Sequence, residues 1–436
     1  MNIIFISIIA GISILGMILS NIFIPQLRIK KFTISTFWMA PLLGAIVLLS
    51  TGLLDFQSFV SGLVQDRAIN PIEILGLFFA MTFMSIVLDE VGFFEKLASW
   101  AARKAKGSQF LLFLILYVLT SFLTVFTSND IIIITFTPFI IFFTRRAHID
   151  PIPYLVSEFV AANTWSLILI IGNPTNIYLA SSFGITFIDY LSHMFLSAIL
   201  AGLVSLGIMI LLFKKKLTKQ IETTIDDVKI KDKFVFVTAL SALSLCIVLM
   251  AVSSYVNFPM WAVSLIMAGL LILIIFGYGL SRPESLKTML RSFKRLPFDL
   301  IPFVIAMFAI VLSFDLSGIV VNISSFLNND VPLLTYGMAS FLSANLINNI
   351  PMSVLFSNII THASSGIQLP AIYASIAGSN IGAFLTPFGA LAGVMWMSIL
   401  KKHEIKFSFL NFIKYGFIIA IPTMLAAILG IYLVMI

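Results

Sequence analysis

Long apolar segments alternate with short polar stretches along the whole chain, and ten of these segments are about long enough to cross a bilayer. A crossing takes roughly 20 predominantly apolar residues in an α-helix. The first segment is interpreted as a span because it lacks the basic start and the small-residue cleavage site of a signal peptide. The ten predicted spans are residues 3–23, 37–54, 71–91, 151–180, 187–213, 234–256, 260–280, 297–317, 370–400 and 409–433.

Two further apolar stretches, residues 110–143 and 331–361, are each interrupted by a small polar group. This pattern predicts two re-entrant hairpins whose polar tips reach membrane depth, where irregular backbone must be buried in protein or line a wet cavity. Two tilted full spans joined by a solvated turn are the alternative. An acid at such a tip is costly and indicates a functional site. The tip residues are Thr127, Ser128, Asn129 and Asp130 in the first hairpin and Asn348 and Asn349 in the second.

Two of the long spans, residues 151–180 and 370–400, contain polar and Gly/Pro-rich interruptions near their middles. Proline removes a backbone donor and clashes with the preceding turn, and glycine permits the bend. The pattern therefore predicts two broken helices, with Pro-kinked continuous helices as the alternative. The polar residues at the breaks are Asn163, Thr164, Asn173, Thr175 and Asn176 in the first helix and Ser379, Asn380 and Thr386 in the second.

The two halves of the chain follow the same order of elements. Residues 1–213 and 234–436 each contain three spans, a hairpin, an interrupted span and a last span, and a charged linker of residues 214–233 joins them. Spacing supports a repeat, although so few matches can also arise by chance. Five spans per half would make the second repeat inverted in the membrane. The matched positions are Pro71, Met81, Asp89 and Gly92 against Pro297, Met307, Asp315 and Gly318.

Composition assigns the chain to the all-α polytopic membrane proteins. Hydrophobic residues make up 60% of the sequence and charged residues 10%, and the mean hydropathy is +1.10. Spans and loops then fill the chain and leave no room for a soluble domain. The prediction is about ten transmembrane helices plus two re-entrant hairpins in two inverted repeats, with two broken helices. The single cysteine, Cys246, excludes a disulfide within the chain and a cysteine metal cluster, and no cofactor is expected.

The net charge of +7 is interpreted as a topology signal rather than as a nucleic-acid site. With both termini outside the cell, the predicted cytoplasmic loops and Lys414 hold 25 of the 26 Lys and Arg residues, all but Arg67. Cytoplasmic loops attract basic residues. The expected partners are therefore the lipid bilayer of the plasma membrane and a small solute, and not nucleic acid.

Inverted repeats with broken helices are typical of secondary transporters, which bind substrate and coupling ion near the midplane. Half-helix N-termini suit anions and C-terminal carbonyls suit cations. A channel and an intramembrane enzyme are the other classes; the first would show single-channel currents, and the second needs a cluster of acids or His that does not appear. No Walker-type loop is present, so ATP drive would need a separate ATPase subunit. The predicted substrate and ion site comprises Thr127, Ser128, Asn129, Asp130, Asn163, Thr164, Asn173, Thr175, Asn176, Asn348, Asn349, Ser379, Asn380 and Thr386, with a sodium site possible at Asn129, Asp130 and Asn173.

Four motifs resemble those of the bacterial arsenite/antimonite permeases of the ArsB type. They are Leu88–Glu95, Ser128-Asn129-Asp130 with Thr137-Pro138, Asn348–Pro351, and Gly378–Trp396. That family belongs to an ion transporter superfamily that also holds sodium-coupled di- and tricarboxylate carriers and sodium/proton antiporters. The resemblance implies efflux of arsenite, antimonite or another small inorganic anion, coupled to H⁺ or Na⁺, by a chain that is often a homodimer. The alternative is a sodium-coupled di- or tricarboxylate (citrate-like) transporter or a sodium/proton antiporter of the same superfamily.

Two positions depart from the arsenite permeases, which tend to carry acids where this chain has Asn163 and Asn380. Asp130 is then the only acid in the predicted tips and breaks, which leaves the usual route of proton coupling open to question. A carboxylate substrate about 4 Å from Asp130 would be repelled by about 4 kcal/mol at an effective dielectric of ~20. Glu158, about seven residues into its span, either takes part in ion entry or lines a wet vestibule.

Overall fold

The computed structural model describes residues 2–24, 26–29, 32–64, 70–218, 220, 229–253, 256 and 258–436. Residues 219 and 221–228 of the predicted linker, together with Arg67, lie outside the described residues. The elements of the first half are α1 (Asn2–Phe23), β1 (Gln26–Ile29), β2 (Phe32–Ser35), α2 (Met39–Ser50), α3 (Phe56–Val64), α4 (Pro71–Glu90), α5 (Phe93–Lys104), α6 (Gln109–Phe126), α7 (Asn129–Arg146), α8 (Ile152–Trp165), a 3-10 turn (Ile170–Gly172), α9 (Pro174–Ser182) and α10 (Phe187–Phe213).

The described part of the second half contains helices alone. They are α11 (Lys233–Ser253), α12 (Met260–Ser281), α13 (Pro283–Lys294), α14 (Leu300–Leu316), α15 (Ile319–Leu327), α16 (Pro332–Ile347), α17 (Asn349–Thr361), α18 (Ser365–Gly382), α19 (Leu391–Lys402) and α20 (Phe409–Met435). The prediction of an all-α membrane protein is confirmed, with one small addition. β1 and β2 form an antiparallel hairpin in the first basic loop, with Leu27 opposite Ile34.

Seven described helices are long and apolar enough to cross a membrane: α1, α4, α6, α10, α11, α12 and α20. α14 and α15 would make an eighth if taken as one span, although they meet at an angle of 80°. The apolar α2 has only 12 residues, and the other predicted spans are divided into shorter helices. The count of ten spans and the inverted repeat therefore stay predictions.

The helix ends follow local capping rules. Asn70 begins α4 by accepting hydrogen bonds from the backbone N–H groups of Ile72 and Glu73, at 3.0 and 3.3 Å, and Pro71 occupies the first helical position. Gly92 and Gly318 precede α5 and α15 with φ of 87° and 79°, a left-handed conformation that glycine adopts without a steric penalty. Gly318 lies at the 80° bend between α14 and α15, and Gly92 lies between α4 and α5.

Burial separates a central group of helices from a peripheral one. Almost every residue of α8, α9 and α17, and of the second half of α18, is buried, including their polar side chains. By contrast, α1, α10, α11, α12 and α20 expose many large apolar side chains, as expected of helices that face lipid. α10 packs against α20, α16 against α18, and α6 against α8. The polar interruptions of the chain are thereby placed at the centre of the molecule.

Candidate functional site

The first hairpin tip contacts the first broken helix through paired amides. α6 ends at Phe126, and α7 begins at Asn129 after two residues outside the helices. The Asn129 side-chain N–H donates to the Asn163 side-chain carbonyl at 2.9 Å, and the Asn163 amide donates to the Phe159 carbonyl of its own helix at 2.8 Å. Both asparagines are buried. The start of α7 is thus held to the end of α8.

The two broken helices contact each other through the amide of Asn380, which is fully buried. Its Oδ1 accepts hydrogen bonds from Ser166 Oγ at 2.7 Å and Asn173 Nδ2 at 2.9 Å. Its Nδ2 donates to Asn176 Oδ1 at 2.6 Å and to the Ile376 carbonyl at 2.9 Å. An amide has two lone pairs and two N–H donors, so every capacity of this side chain is used.

A second contact joins the same two breaks. Ser379 Oγ donates to Thr175 Oγ1 at 2.9 Å, and the Thr175 hydroxyl donates to Asn173 Oδ1 at 3.1 Å. Asn176 also donates to the Ser166 carbonyl at 2.8 Å, across the interruption between α8 and α9. The residues Asn173, Thr175, Asn176, Ser379 and Asn380 therefore form one hydrogen-bonded cluster, which we call the central cluster.

The second hairpin tip contacts the break between α18 and α19. Asn348 has φ of 74° and ψ of 153°, a strained backbone conformation outside the left-handed helical region, and its side chain donates to the Phe388 carbonyl at 3.1 Å. The Asn349 backbone N–H donates to the Gly389 carbonyl at 3.0 Å. Asn345, one helical turn before the tip, accepts from the backbone N–H and the hydroxyl of Thr386 at 3.0 and 2.8 Å.

Asp130 lies at a cavity of about 920 Å³ and is 9% exposed. It belongs to the first turn of α7, and its carboxyl group accepts a hydrogen bond from the backbone N–H of Ala392 in the first turn of α19. Two helix N-termini, whose unpaired N–H groups favour negative charge, therefore converge on this acid. The cavity is also lined by Thr82, Thr135, Ser398, Asp299, Arg295, Lys401 and Lys402, so its polar end is rich in basic side chains.

Arg295 at the edge of this cavity is held by two acids at the end of α4. Its guanidinium lies 2.7 Å from both Asp89 Oδ2 and Glu90 Oε1. Burial alone would lower the pKa of Arg295, but the ion pair with Asp89 and the hydrogen bonds to both acids raise it above its ordinary value. Asp315, the position matched to Asp89 by spacing, lies instead 3.5 Å from His362 Nε2. Asp89 and Glu90 therefore bind a fixed cation beside the cavity.

The structure brings most of the predicted site residues together, but in distinct groups. The central cluster connects through Ser166 and Asn163 to Asn129, because the Ser166 hydroxyl also lies 2.8 Å from the Asn163 carbonyl. The residues proposed for a sodium site have different hydrogen-bond partners: Asn129 bonds Asn163, Asp130 bonds Ala392, and Asn173 bonds Asn380 and Thr175. Thr127 donates to the Leu123 carbonyl at 2.8 Å and Ser128 lies 3.4 Å from Asn129, while the Thr164 hydroxyl is buried with no hydrogen-bond partner among the described residues.

Sequence reasoning missed Ser166 and Asn345, which bond two of the predicted break residues. Ser166 lies inside the first interruption and Asn345 lies three residues before the second tip. Their closeness to these predicted site segments is the sequence feature that could have identified them. Glu158 is 1% exposed and lies outside the lining of the cavity. Of the two roles left open for Glu158, the one that lines a wet vestibule is therefore wrong, because α7 and α19 cover its side chain. A part in ion entry stays a prediction.

The model of the citrate transporter family matches residues 31–378, which is most of the chain. The chain belongs to this family. This is a family of membrane transporters. The family match and the apolar helices together establish a multi-pass membrane protein.

Curated relatives extend the comparison along the chain. An arsenical pump membrane protein of Escherichia coli K12 is 26% identical over 371 residues, covering 82% of this chain and 85% of its own length. Another arsenical pump membrane protein of E. coli is 25% identical over 413 residues, with 91% and 93% covered. The resemblance to the arsenite permeases is thereby confirmed. The crystal structure of the YdaH transporter of Alcanivorax borkumensis covers 98% of both chains with a TM-score of 0.56 at 13% identity, and so shows the same fold.

Proposed function

We propose that the protein is a secondary active transporter of the plasma membrane that exports arsenite, antimonite or a similar small inorganic anion by alternating access. Both termini lie outside the cell, and the inverted repeats 1–213 and 234–436 are the two units that move relative to each other during alternating access. The coupling ion is H⁺ or Na⁺. The observation that carries the proposal is the meeting of both broken helices in the central cluster, beside a hairpin tip whose Asp130 lies at a cavity of about 920 Å³.

The chemistry of the buried polar residues supports a small oxygen-rich solute. The central cluster offers amides and hydroxyls, which donate and accept hydrogen bonds, and it contains no cationic side chain. Neutral trihydroxy arsenite needs hydrogen-bond partners and no counter-charge. A buried acid at the cavity disfavours a substrate with two or three carboxylates. In the proposed orientation the cavity opens to the cytoplasm, since Lys401 and Lys402 at its edge are exposed, and this is the side from which an exporter loads.

The test is arsenite and antimonite tolerance in a host that lacks its own arsenite pumps. Cells with the chain in the membrane should grow at higher arsenite and contain less arsenic than cells with an empty vector. Everted vesicles from the same cells should accumulate arsenite under an imposed gradient, and separate proton and sodium gradients identify the coupling ion. Equal tolerance and equal arsenic content at confirmed membrane expression would remove these metalloids from the substrate range.

A sodium-coupled di- or tricarboxylate carrier, or a sodium/proton antiporter of the same superfamily, is the second candidate. Arg295, Lys401 and Lys402 at the cavity edge favour it, because basic side chains concentrate anions in a narrow opening. Uptake of labelled citrate and succinate into the same vesicles tests this alternative. Sodium-driven carboxylate uptake without arsenite transport would establish this alternative, and sodium-driven proton movement without either solute would establish an antiporter.

A further inference from the structure

Glu158 is an acid sealed inside the helix bundle, away from the cavity at Asp130. It is 1% exposed, and the hydroxyl of Thr137 on α7 lies 3.0 Å from each of its two carboxyl oxygens. The indole N–H of Trp396 on α19 also approaches the carboxyl group and makes no hydrogen bond of normal geometry with any described residue. Two uncharged side chains on two other helices are thus the neighbours of this acid.

These neighbours suit a neutral carboxylic acid better than a carboxylate. A threonine hydroxyl has one hydrogen, so it satisfies only one oxygen at a time. Burying an ionised carboxylate without a cation costs several kcal/mol, and such a group is commonly neutralised by a proton. The titratable or charged groups on the surrounding helices are Asp130, Arg145 and Arg146 on α7, Tyr154 on α8, Tyr117 on α6, Asp189, Tyr190 and His193 on α10, Tyr373 on α18, Lys401 and Lys402 on α19, and Lys414, Tyr415 and Tyr432 on α20. The charged residues of α7 and α19 are at least five positions away from the two residues that contact Glu158. On α7 these are Asp130, Arg145 and Arg146 relative to Thr137, and on α19 they are Lys401 and Lys402 relative to Trp396.

The three helices that enclose Glu158 are the ones that build the Asp130 site. Thr137 follows Asp130 by seven residues on α7, which places it two turns or about 10 Å along the same face. Trp396 follows Ala392, the hydrogen-bond donor to Asp130, by four residues on α19. On α8, Glu158 precedes Asn163, the partner of Asn129, by five residues. A shift of α7 or α19 at one acid therefore changes the surroundings of the other.

We propose that Glu158 is a proton-binding residue of the transport cycle, which takes up and releases a proton as the Asp130 site fills and empties. The proposal rests on the transporter function proposed above. In the arrangement seen here the acid is protonated and hydrogen-bonded to Thr137. Release breaks the O–H bond, leaves the electron pair on the carboxylate and passes the proton to water, and it requires α7 and α19 to separate enough to admit that water.

Infrared spectroscopy of the purified full-length protein in lipid tests whether Glu158 holds a proton. Near neutral pH, wild type should show a protonated-carboxyl band that Glu158→Gln loses. Thr137→Val should shift the frequency of that band, because the hydrogen bond is gone. Thr144→Val is the matched control. This buried hydroxyl lies on the same helix, and among the described residues it bonds only the Ile140 and Ile141 carbonyls, so the band should stay in place. A wild-type spectrum identical to that of Glu158→Gln would overturn the proposal.

Proteoliposomes with an internal pH dye test whether this proton belongs to the cycle. Adding a transported substrate, arsenite or the carboxylate identified by the panel above, should move protons with wild type and with Thr144→Val. In Glu158→Gln the number of protons moved per substrate should fall to background, whatever residual transport remains. In Thr137→Val the pH dependence of proton movement should change. An unchanged proton-to-substrate ratio in Glu158→Gln refutes the role while leaving the transporter function intact. If neither solute class is transported, the proposed function fails, and the infrared result still decides whether Glu158 binds the proton.

Discussion

Replacing Asn380 with alanine tests the strongest link between the two broken helices. The substitution removes three hydrogen bonds between helices, to Ser166, Asn173 and Asn176, and one within α18. Interhelical hydrogen bonds in membrane proteins average about 0.6 kcal/mol, so three come to about 2 kcal/mol. The loss also leaves Asn173 Nδ2 and Asn176 Oδ1 buried without these partners, at about 1–3 kcal/mol each. Added together, the two terms give an expected destabilisation of roughly 4–8 kcal/mol.

The measurement is the thermal midpoint of the purified protein in lipid nanodiscs, followed by tryptophan fluorescence. Ser375→Ala is the matched control, because this serine lies on the same helix, is fully buried and has a hydroxyl with no described hydrogen-bond partner. We expect Asn380→Ala to lower the midpoint clearly and Ser375→Ala to leave it unchanged or slightly raise it. Equal midpoints for the two variants would refute the reasoning, because the hydrogen bonds of Asn380 would then contribute no more stability than the unpaired hydroxyl of Ser375.

Three further predictions follow from the cavity and its edge. Asp130→Asn should abolish gradient-driven transport while leaving the thermal midpoint near that of wild type; normal accumulation in vesicles would make Asp130 a structural cap. In a Cys246→Ser background, a cysteine at Ser398 should react with a small membrane-impermeant thiol reagent in everted vesicles and one at the buried Ser379 should not; equal labelling would contradict the cavity assignment. Arg295→Gln should destabilise the protein by roughly 1–3 kcal/mol, because it leaves two partly buried acids unpaired. Lys287→Gln, which removes an exposed pair with Glu284, is its control, and similar thermal midpoints for both variants would show that the Arg295 pairs contribute no more than a surface pair.

The positions of the helix ends and breaks could be predicted because their signals are local. Asn173-Pro174 and Thr386-Pro387 interrupt apolar runs where the structure has breaks, and Asn348 occupies the point where α16 gives way to α17. The bend at Gly318 was only partly visible, since α15 is nearly as apolar as α14 and turns by 80°. The β-hairpin of the first basic loop was missed because strands of four residues carry too little alternation to be distinguished from a loop.

The contacts within the site could not be predicted, because they join residues far apart in the chain. Asn129 and Asn163 are 34 residues apart, and Asn176 and Asn380 are 204 residues apart. A single sequence gives the spacing along helices but not which helix faces lie together. The same limit applies to Glu158. Its position along α8 could be read from the sequence, but its burial by Thr137 and Trp396 could not, because that burial depends on how α7 and α19 pack against α8.

The burial of α8, α9 and α18 has a consequence for how the protein is made. Their asparagines would lie unpaired in hydrocarbon if each helix entered the bilayer alone, and unpaired polar groups there cost several kcal/mol each. The partners of Asn173 and Asn176 come 204–207 residues later in the chain. The first broken helix therefore cannot form these hydrogen bonds during synthesis until the second broken helix has been made. The lipid-facing α10, α11 and α12 are inserted in that interval and can shelter it. Ribosome-bound chains truncated before α18 should therefore remain sensitive to protease at the first break, and the sensitivity should be lost once α18 has been synthesised.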